Sequence, residues 1–293
     1  MNWWKSLKGK VRLKEPLKAH ATFKIGGPAK FFIEPKDTRE LKLLLNLLKR
    51  YKIPSLVIGR GSNILISDKG VKAAVLRLNS PCFKKVGFQD TRLEAGSGVS
   101  LHRVIVLAQE HGLSGTEFLV GIPGTLGGAL VMNAGTQGKS ISDLVENVTV
   151  MDYNGNIKTL NKGVLKFEYR KSNLSKYIIL SACLRLAKKN KQEIKNSLNK
   201  YINYRKLTQD LSCPSAGCIF KNPEGCSAGQ LIDLCGLKGQ RLGDARISLR
   251  HANFILNLKN ASAGEVLKLM ELIINKVKDK FNITLKPEIK IWR

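Results

Sequence analysis

Three short segments of this 293-residue chain hold the side chains best suited to chemistry. Phe167-Glu168-Tyr169-Arg170-Lys171-Ser172 sets a phenol beside a guanidinium. The guanidinium stays charged at all accessible pH and can grip a carboxylate through two parallel hydrogen bonds; the same pair also makes an ordinary Tyr–Arg stack on a surface strand. Pro214-Ser215-Ala216-Gly217-Cys218-Ile219-Phe220-Lys221-Asn222-Pro223 is a turn framed by prolines, with a thiol, an ammonium and an amide inside five residues. Cys218 is there either as a small buried hydrophobe or as an acid titrating near about 8.5. Lys286-Pro287-Glu288-Ile289-Lys290-Ile291-Trp292 holds Glu288 between two lysines; taken alone, that acid is an ion-pair partner.

Two glycine loops offer binding rather than reactivity. Residues 121–135 read G-I-P-G-T-L-G-G-A-L-V-M-N-A-G, five glycines among apolar and small residues, with Thr125 and Asn133 as the polar side chains. Glycine lets a backbone approach closely and turn with positive φ, so successive N–H groups can converge on a phosphate or diphosphate. Alternatively, such a stretch is a turn between core strands. Gly59-Arg60-Gly61-Ser62-Asn63 lies between the apolar runs Leu56-Val57-Ile58 and Ile64-Leu65-Ile66, which predicts strand, tight polar turn, strand. It adds a fixed positive charge, a hydroxyl and an amide, so the two loops can flank one dinucleotide. G-x-G-x-x-G and G-x-x-x-x-G-K-[ST] at a strand-to-helix junction are both missing, which excludes a Rossmann or P-loop site.

Composition narrows the function classes. With 43% hydrophobic and 25% charged residues the chain is an ordinary globular one, long enough for two or three domains. Its net charge of +28 comes from lysines scattered over nearly every element, with no interleaved aromatics, which predicts anionic partners but no specific nucleic-acid binding. Six cysteines without a C-x-x-C pair and four dispersed histidines predict no metal site and mostly reduced, buried thiols. The lysine-rich first twenty residues are unlike a signal peptide, and even 41–48 is interrupted by Lys42 and Asn46. A cytoplasmic protein with no membrane insertion is expected.

The positioning elements follow from periodicity and caps. An extended 30–34, a helix opened by Asp37 with Glu40 three residues on, and a strand over 73–78 make a first α/β unit. A strand at 93–95, a helix over 100–111, a hairpin of 148–153 and 157–160 with a two-residue Asn154-Gly155 turn, and a strand over 177–186 make a second. A lysine-rich helix over 190–206 leads to a third unit. There a short helix over 228–234 ends at Gly236, and 254–257 is a strand. Ser262-Ala263-Gly264-Glu265 caps a long helix with Val266, Leu269, Met270, Ile273, Ile274, Val277 and Phe281 on its apolar side, and a final strand covers 285–292.

In order and spacing, Thr22-Phe23-Lys24-Ile25-Gly26-Gly27-Pro28-Ala29, both glycine loops, Tyr169-Arg170-Lys171-Ser172, residues 217–223, Ala228-Gly229-Gln230-Leu231-Ile232-Asp233 and Pro287-Glu288 resemble the UDP-N-acetylenolpyruvoylglucosamine reductase family over nearly the whole chain. The resemblance implies an α+β fold. A two-subdomain FAD-binding module of the vanillyl-oxidase and cresol-methylhydroxylase type (1–80 and 81–188) would precede an α+β substrate-binding domain (189–293). The short span between Arg170 and Cys218 matches the compact class of the family. It further implies an oxidoreductase, a UDP-N-acetylmuramate dehydrogenase, that uses NADPH and FAD to reduce an enolpyruvyl ether in peptidoglycan precursor synthesis, and so serves cell-wall biogenesis, cell shape and division. The partner would be a small-molecule nucleotide sugar and the protein a monomer.

Residue roles carried by the same resemblance place FAD on Gly59, Arg60, Gly61, Ser62, Asn63, Gly121, Ile122, Pro123, Gly124, Thr125, Gly128, Asn133, Ala134 and Gly135. Arg170, Cys218 and Glu288 would be catalytic. Tyr169, Lys221, Asn222, Gln230 and Lys290 would position substrate, with Arg205 and Gln209 toward the UDP phosphates. The chain departs from the family in having Cys218 where serine is common, Thr136-Gln137-Gly138 where Ala-Tyr-Gly is common, and Asp210 where proline is common. Two other readings remain. A flavin-dependent sugar or alcohol oxidase would share the glycine loops, although Arg170, Cys218-x-x-Lys221-Asn222 and Glu288 together favour the reductase; a basic nucleic-acid binder rests on net charge alone.

Overall fold

The computed structural model describes residues 3–293. They form two compact units, the first made of 3–13, Lys30–Gly59 and Ala73–Tyr204, the second of Lys14–Ala29, Arg60–Lys72 and Arg205–Arg293. These limits differ from the three-part division read from the sequence, because 14–29 and 60–72 cluster with the C-terminal residues.

In the first unit, five antiparallel strands run in the order Ile157–Asn161, Val145–Met151, Ile178–Arg185, Arg92–Gly96 and Val86–Gln89. Ile179, Ala182 and Leu184 of the central strand share a core with Val104, Ile105 and Ala108 of helix Leu101–Glu110 and with Leu126, Ala129 and Leu130 of the short helix Leu126–Val131. Each of the valine, leucine and isoleucine side chains contributes about 1.5–3 kcal/mol by leaving water, and each alanine about 0.8 kcal/mol. Helix Thr38–Arg50 buries Leu41, Leu44, Leu45 and Leu48, the one-face spacing, against Phe31, Ile33, Ala74 and Leu76. Asp37 caps it by accepting from the Glu40 N–H at 2.9 Å. Glu40 does not complete a capping box: its carboxylate accepts instead from the backbone N–H groups of Lys8, Gly9 and Lys36.

The expected two-residue hairpin turn is a three-residue one. Met151 pairs with Ile157, and the Asp152 N–H donates to Asn156 O at 2.9 Å, so Tyr153, Asn154 and Gly155 make the turn. Gly155 takes φ +83 at its end, the geometry of a type I turn closed by a left-handed residue. The Asp152 carboxylate accepts from the N–H groups of Asn154 and Asn156, a side-chain turn that the Asn-Gly signal concealed.

In the second unit, Arg241–Leu242, Ala245–Ile247 and Ile255–Asn257 form an antiparallel sheet. Helix Ala263–Phe281 starts at the expected capping box on Ser262 and Glu265 and buries Val266, Leu269, Met270, Ile273 and Val277. Lys290–Trp292 pairs parallel with Ile64–Ile66. The runs on either side of Gly59–Asn63 therefore do not form a hairpin: Ser55–Val57 pairs instead with Val71–Leu76. The final strand is also shorter than expected, since Pro287 supplies no N–H for a ladder and regular pairing begins at Lys290.

Candidate functional site

The predicted site residues divide between the units: Gly59, the 121–135 loop, Tyr169 and Arg170 lie in the first, and the remainder in the second. Within the first unit, Gly59 is packed so closely that a Cβ on it would stand 2.5 Å from Thr125 Oγ1. Only glycine allows that approach, and it brings the start of one glycine loop against the middle of the other. Thr125 caps helix Leu126–Val131 by accepting from the Gly128 N–H at 3.3 Å. Much of the loop's amide capacity is spent internally. The N–H groups of Ile122, Gly124, Leu126 and Gly127 donate to Leu119, Ile122, Val99 and Ser97 carbonyls. The expectation of a run of convergent amides is thus met only in part, and close packing explains several of the glycines. Ser97 is a residue the sequence reading missed. It is 5% exposed, its hydroxyl has no hydrogen-bond partner among the described residues, and its carbonyl takes the Gly127 N–H at 2.9 Å. A buried, uncommitted hydroxyl beside this loop, together with the Gly59–Thr125 approach, fits a polar ligand seated there.

Tyr169 and Arg170 occupy the two-residue turn between Phe167–Glu168 and Lys171–Ser172. Arg170 has φ +55, a left-handed conformation normally left to glycine or asparagine, at a cost of about 1–2 kcal/mol. Backbone strain of this kind clusters at active sites and ligand clamps. Its guanidinium stacks over Tyr169 at 5.1 Å, so the ordinary Tyr–Arg stack is present as well. Both legs of the turn are tied to the glycine loop: Asn133 Nδ2 donates to Glu168 O at 3.1 Å, and the buried Ser172 hydroxyl donates to Val131 O at 3.0 Å. Asn133 Oδ1 accepts from the Ser142 N–H at 3.3 Å. Its side chain therefore braces the loop from within.

The second unit assembles the thiol and the acid. Cys218 bridges to Phe254, and the Ile219 N–H donates to Asn253 O at 2.9 Å on one side. On the other side the Glu288 N–H donates to Ile219 O at 2.8 Å, Phe220 bridges to Pro287, and the Lys221 N–H donates to Lys286 O at 2.9 Å. Cys218 and Glu288 thus stand on neighbouring backbones, and both are half-buried. The 60–63 loop joins the same assembly: Asn63 Nδ2 donates to Glu288 O at 3.3 Å, Asn63 O accepts from the Lys290 N–H at 2.9 Å, and Gly61 O accepts from the Thr22 N–H at 3.1 Å. Lys221 is half-buried, while Asn222, Gln230 and Lys290 are exposed. Asn222 Oδ1 accepts from the Ala228 N–H at 3.0 Å, so part of its amide holds the start of helix Ala228–Leu234. Arg205 Nη1 donates to Gln209 Oε1 at 3.1 Å, which brings the two candidates for the UDP phosphates together.

Supporting residues surround these groups, among them Asp210, which the sequence marked as a departure from the family pattern without giving it a role. The Asp210 carboxylate accepts from the Ser212 hydroxyl at 2.6 Å and from the fully buried Ser248 hydroxyl at 2.7 Å. Burial disfavours its charged form, yet these hydrogen bonds and the Arg250 charge outweigh burial and hold it below the ordinary carboxylate range. Burial lowers His251, with the Lys238 charge adding to the effect, so the ring is neutral and its Nδ1 accepts from the Asn253 N–H at 3.3 Å. Asn253 and Asn257 are each 2% exposed, and both bond backbone groups with their amides. No group of His, Cys, Asp or Glu that could hold a metal ion exists among the described residues. None of the described helices is long and apolar enough to cross a membrane.

Comparison with known proteins defines the class first: residues 29–161 match the model of an FAD binding domain, and a 6-hydroxy-D-nicotine oxidase from Arthrobacter nicotinovorans shares the fold over 62% of this chain and 43% of its own (TM-score 0.50, 15% identity). Residues 208–292 match the C-terminal domain of UDP-N-acetylenolpyruvoylglucosamine reductase. The reductase of Caldanaerobacter subterraneus is 45% identical over 97% of this chain and 94% of its own length, and that of Clostridioides difficile 43% identical over 96% and 93%. The crystal structure of the Thermus caldophilus reductase superposes with a TM-score of 0.83 at 37% identity, covering 98% of this chain and all of that one. The chain belongs to the UDP-N-acetylenolpyruvoylglucosamine reductase family and is an oxidoreductase with a flavin-binding domain.

Proposed function

We propose that this protein uses NADPH and FAD to reduce the enolpyruvyl ether of UDP-N-acetylglucosamine to UDP-N-acetylmuramate. The observation that supports the proposal is the bond from the Glu288 N–H to the Ile219 carbonyl, which runs the backbone segments carrying Cys218 and Glu288, the groups the reading takes as donor and acid, next to each other. FAD, when bound, supplies the hydride that it has taken from NADPH. Gly59, Arg60, Gly61, Ser62 and Asn63, with 121–125 and Gly128, would hold it, with Asn133 bracing the loop and Ala134 and Gly135 continuing it. Ser97 adds a hydroxyl.

The protein's side chains answer the charge flow on the substrate. Hydride reaching the terminal vinyl carbon sends an electron pair onto the neighbouring carbon and its carboxylate, and the charge must be met there by groups already in place. Arg170 supplies a permanent bidentate cation for that carboxylate. Cys218 then gives its S–H proton to the adjacent carbon, forming the C–H bond and leaving a thiolate that solvent reprotonates. A thiol is a far stronger acid than serine's alcohol. Glu288 acts at the same centre as a proton-bearing acid. Tyr169, Lys221, Asn222, Gln230 and Lys290 position the sugar, and Arg205 with Gln209 meets the diphosphate.

The purified protein should be yellow. Its flavin absorption should bleach with NADPH under anaerobic conditions, and adding the enolpyruvyl nucleotide sugar should restore it with formation of UDP-N-acetylmuramate. A colourless protein that takes up no FAD, or a reduced flavin that the sugar leaves bleached, would contradict the assignment.

A further inference from the structure

We propose that Asn253 is a positioning residue for proton delivery, fixing the Cys218-Ile219-Phe220 segment so that the thiol is held on line with the carbon it protonates. The proposal rests on Cys218 being the donor.

Where residues 218–220 pass the 253–254 backbone, regular pairing is confined to the Cys218–Phe254 bridge and the Ile219 N–H to Asn253 O bond. One residue further on, the Asn253 side chain takes over from a strand. Its Oδ1 accepts from the Phe220 N–H at 2.9 Å and its Nδ2 donates to Phe220 O at 2.8 Å. A primary amide is the side-chain group that can close such a pair at this reach, offering donor and acceptor side by side. Asn253 is 2% exposed and Phe220 1% exposed, so water is a poor substitute. The opposite edge is bonded through the Ile219 carbonyl to the Glu288 N–H and through the Lys221 N–H to the Lys286 carbonyl, and the amide therefore fixes the backbone that carries the thiol and to which the segment of Glu288 is bonded. The amide acts through the backbone, and substrate contact is not required of it.

Asn253→Asp keeps shape but faces the Phe220 carbonyl with an oxygen, so one of the two bonds is lost and becomes repulsive. Reduction of the bound flavin by NADPH should proceed at the wild-type rate. Reoxidation by the enolpyruvyl sugar should fall about 10- to 100-fold, the scale expected for small misplacement of a reacting group. Amide hydrogen exchange should accelerate at Ile219 and Phe220. Because Asn253 acts through the thiol, Cys218→Ala/Asn253→Asp should be no slower than Cys218→Ala alone. Wild-type reoxidation in Asn253→Asp, or losses that multiply in the double variant, overturns the proposal while a slow Cys218→Ala preserves the donor assignment. If Cys218→Ala itself reoxidises at the wild-type rate, the donor assignment fails and takes this proposal with it. Asn253→Ser, smaller and uncharged, is the second variant should the aspartate variant not fold; failure of both to fold makes the residue purely structural and overturns the proposal.

Discussion

The Arg170 turn and the Cys218 segment are held in place by different means. Arg170 stands on a two-residue turn, on a strained backbone, tethered at its legs by Asn133 and Ser172, and its partner Tyr169 is 51% exposed. Cys218 lies on a backbone bonded along both edges and clamped from one side by a buried asparagine. The difference follows side-chain length. An arginine reaches its anion through several torsions, so its fork can find a carboxylate from a turn that is bonded only at its legs. A cysteine thiol swings about a single torsion, and its position is the position of its backbone. The group proposed to move a proton over a short distance is the one on the doubly bonded backbone.

Breaking each side of this contrast gives graded effects. The largest is expected from Cys218→Ala, with turnover down about 10²–10⁴-fold as a general acid is lost; Cys218→Ser keeps a weak donor in the same place and should retain measurable turnover in steady-state assays. Arg170→Lys keeps the charge but not the fork, and should lower kcat about 10²–10³-fold, with a smaller change in KM. Stability separates the two regions. Arg170→Gly should abolish activity without lowering the thermal midpoint, since about 1–2 kcal/mol of left-handed strain is relieved against roughly 0.5–1 kcal/mol of added chain entropy. Asn253→Ala should lower the midpoint, because two buried backbone groups lose partners worth about 1–3 kcal/mol each. Equal midpoint changes at the two positions would remove the distinction.

The smallest effect is on pH dependence. The pKa of His251 is lowered in the folded protein, so the unfolded chain binds the proton more readily. Its contribution to stability is complete above the ordinary value of 6.5 and is lost as pH falls through that value toward the lower folded one. A chemical-denaturation series between about pH 7.5 and 5 should show this decline, and His251→Gln should flatten it.

Helix caps and glycine stops were legible before the fold was known. Asp37, Ser262 with Glu265, and Gly236 each stand where local hydrogen bonding dictates, because a cap needs only its neighbours in sequence. Residues whose roles depend on distant partners were not. Nothing local separates Ile64–Ile66 from a hairpin partner of Ser55–Val57; its pairing is with Lys290–Trp292, more than two hundred residues later. Asp152 fell inside the strand expected over 148–153, whereas its carboxylate closes the turn itself. At the site, the glycine loops, Arg170, Cys218 and Glu288 stood out by type. Asn253 did not, since its only mark is a polar residue ahead of Phe254-Ile255-Leu256, and Ser97 had none.

In the proposed reaction the Cys218 thiol delivers the proton that completes reduction of the enolpyruvyl ether. Rapid mixing of NADPH-reduced enzyme with the enolpyruvyl sugar under anaerobic conditions, wild type against Cys218→Ala, tests it directly. Flavin reduction should proceed at equal rates and reoxidation about 10²–10⁴-fold more slowly in the variant; equal reoxidation in the two proteins would remove the thiol from the reaction.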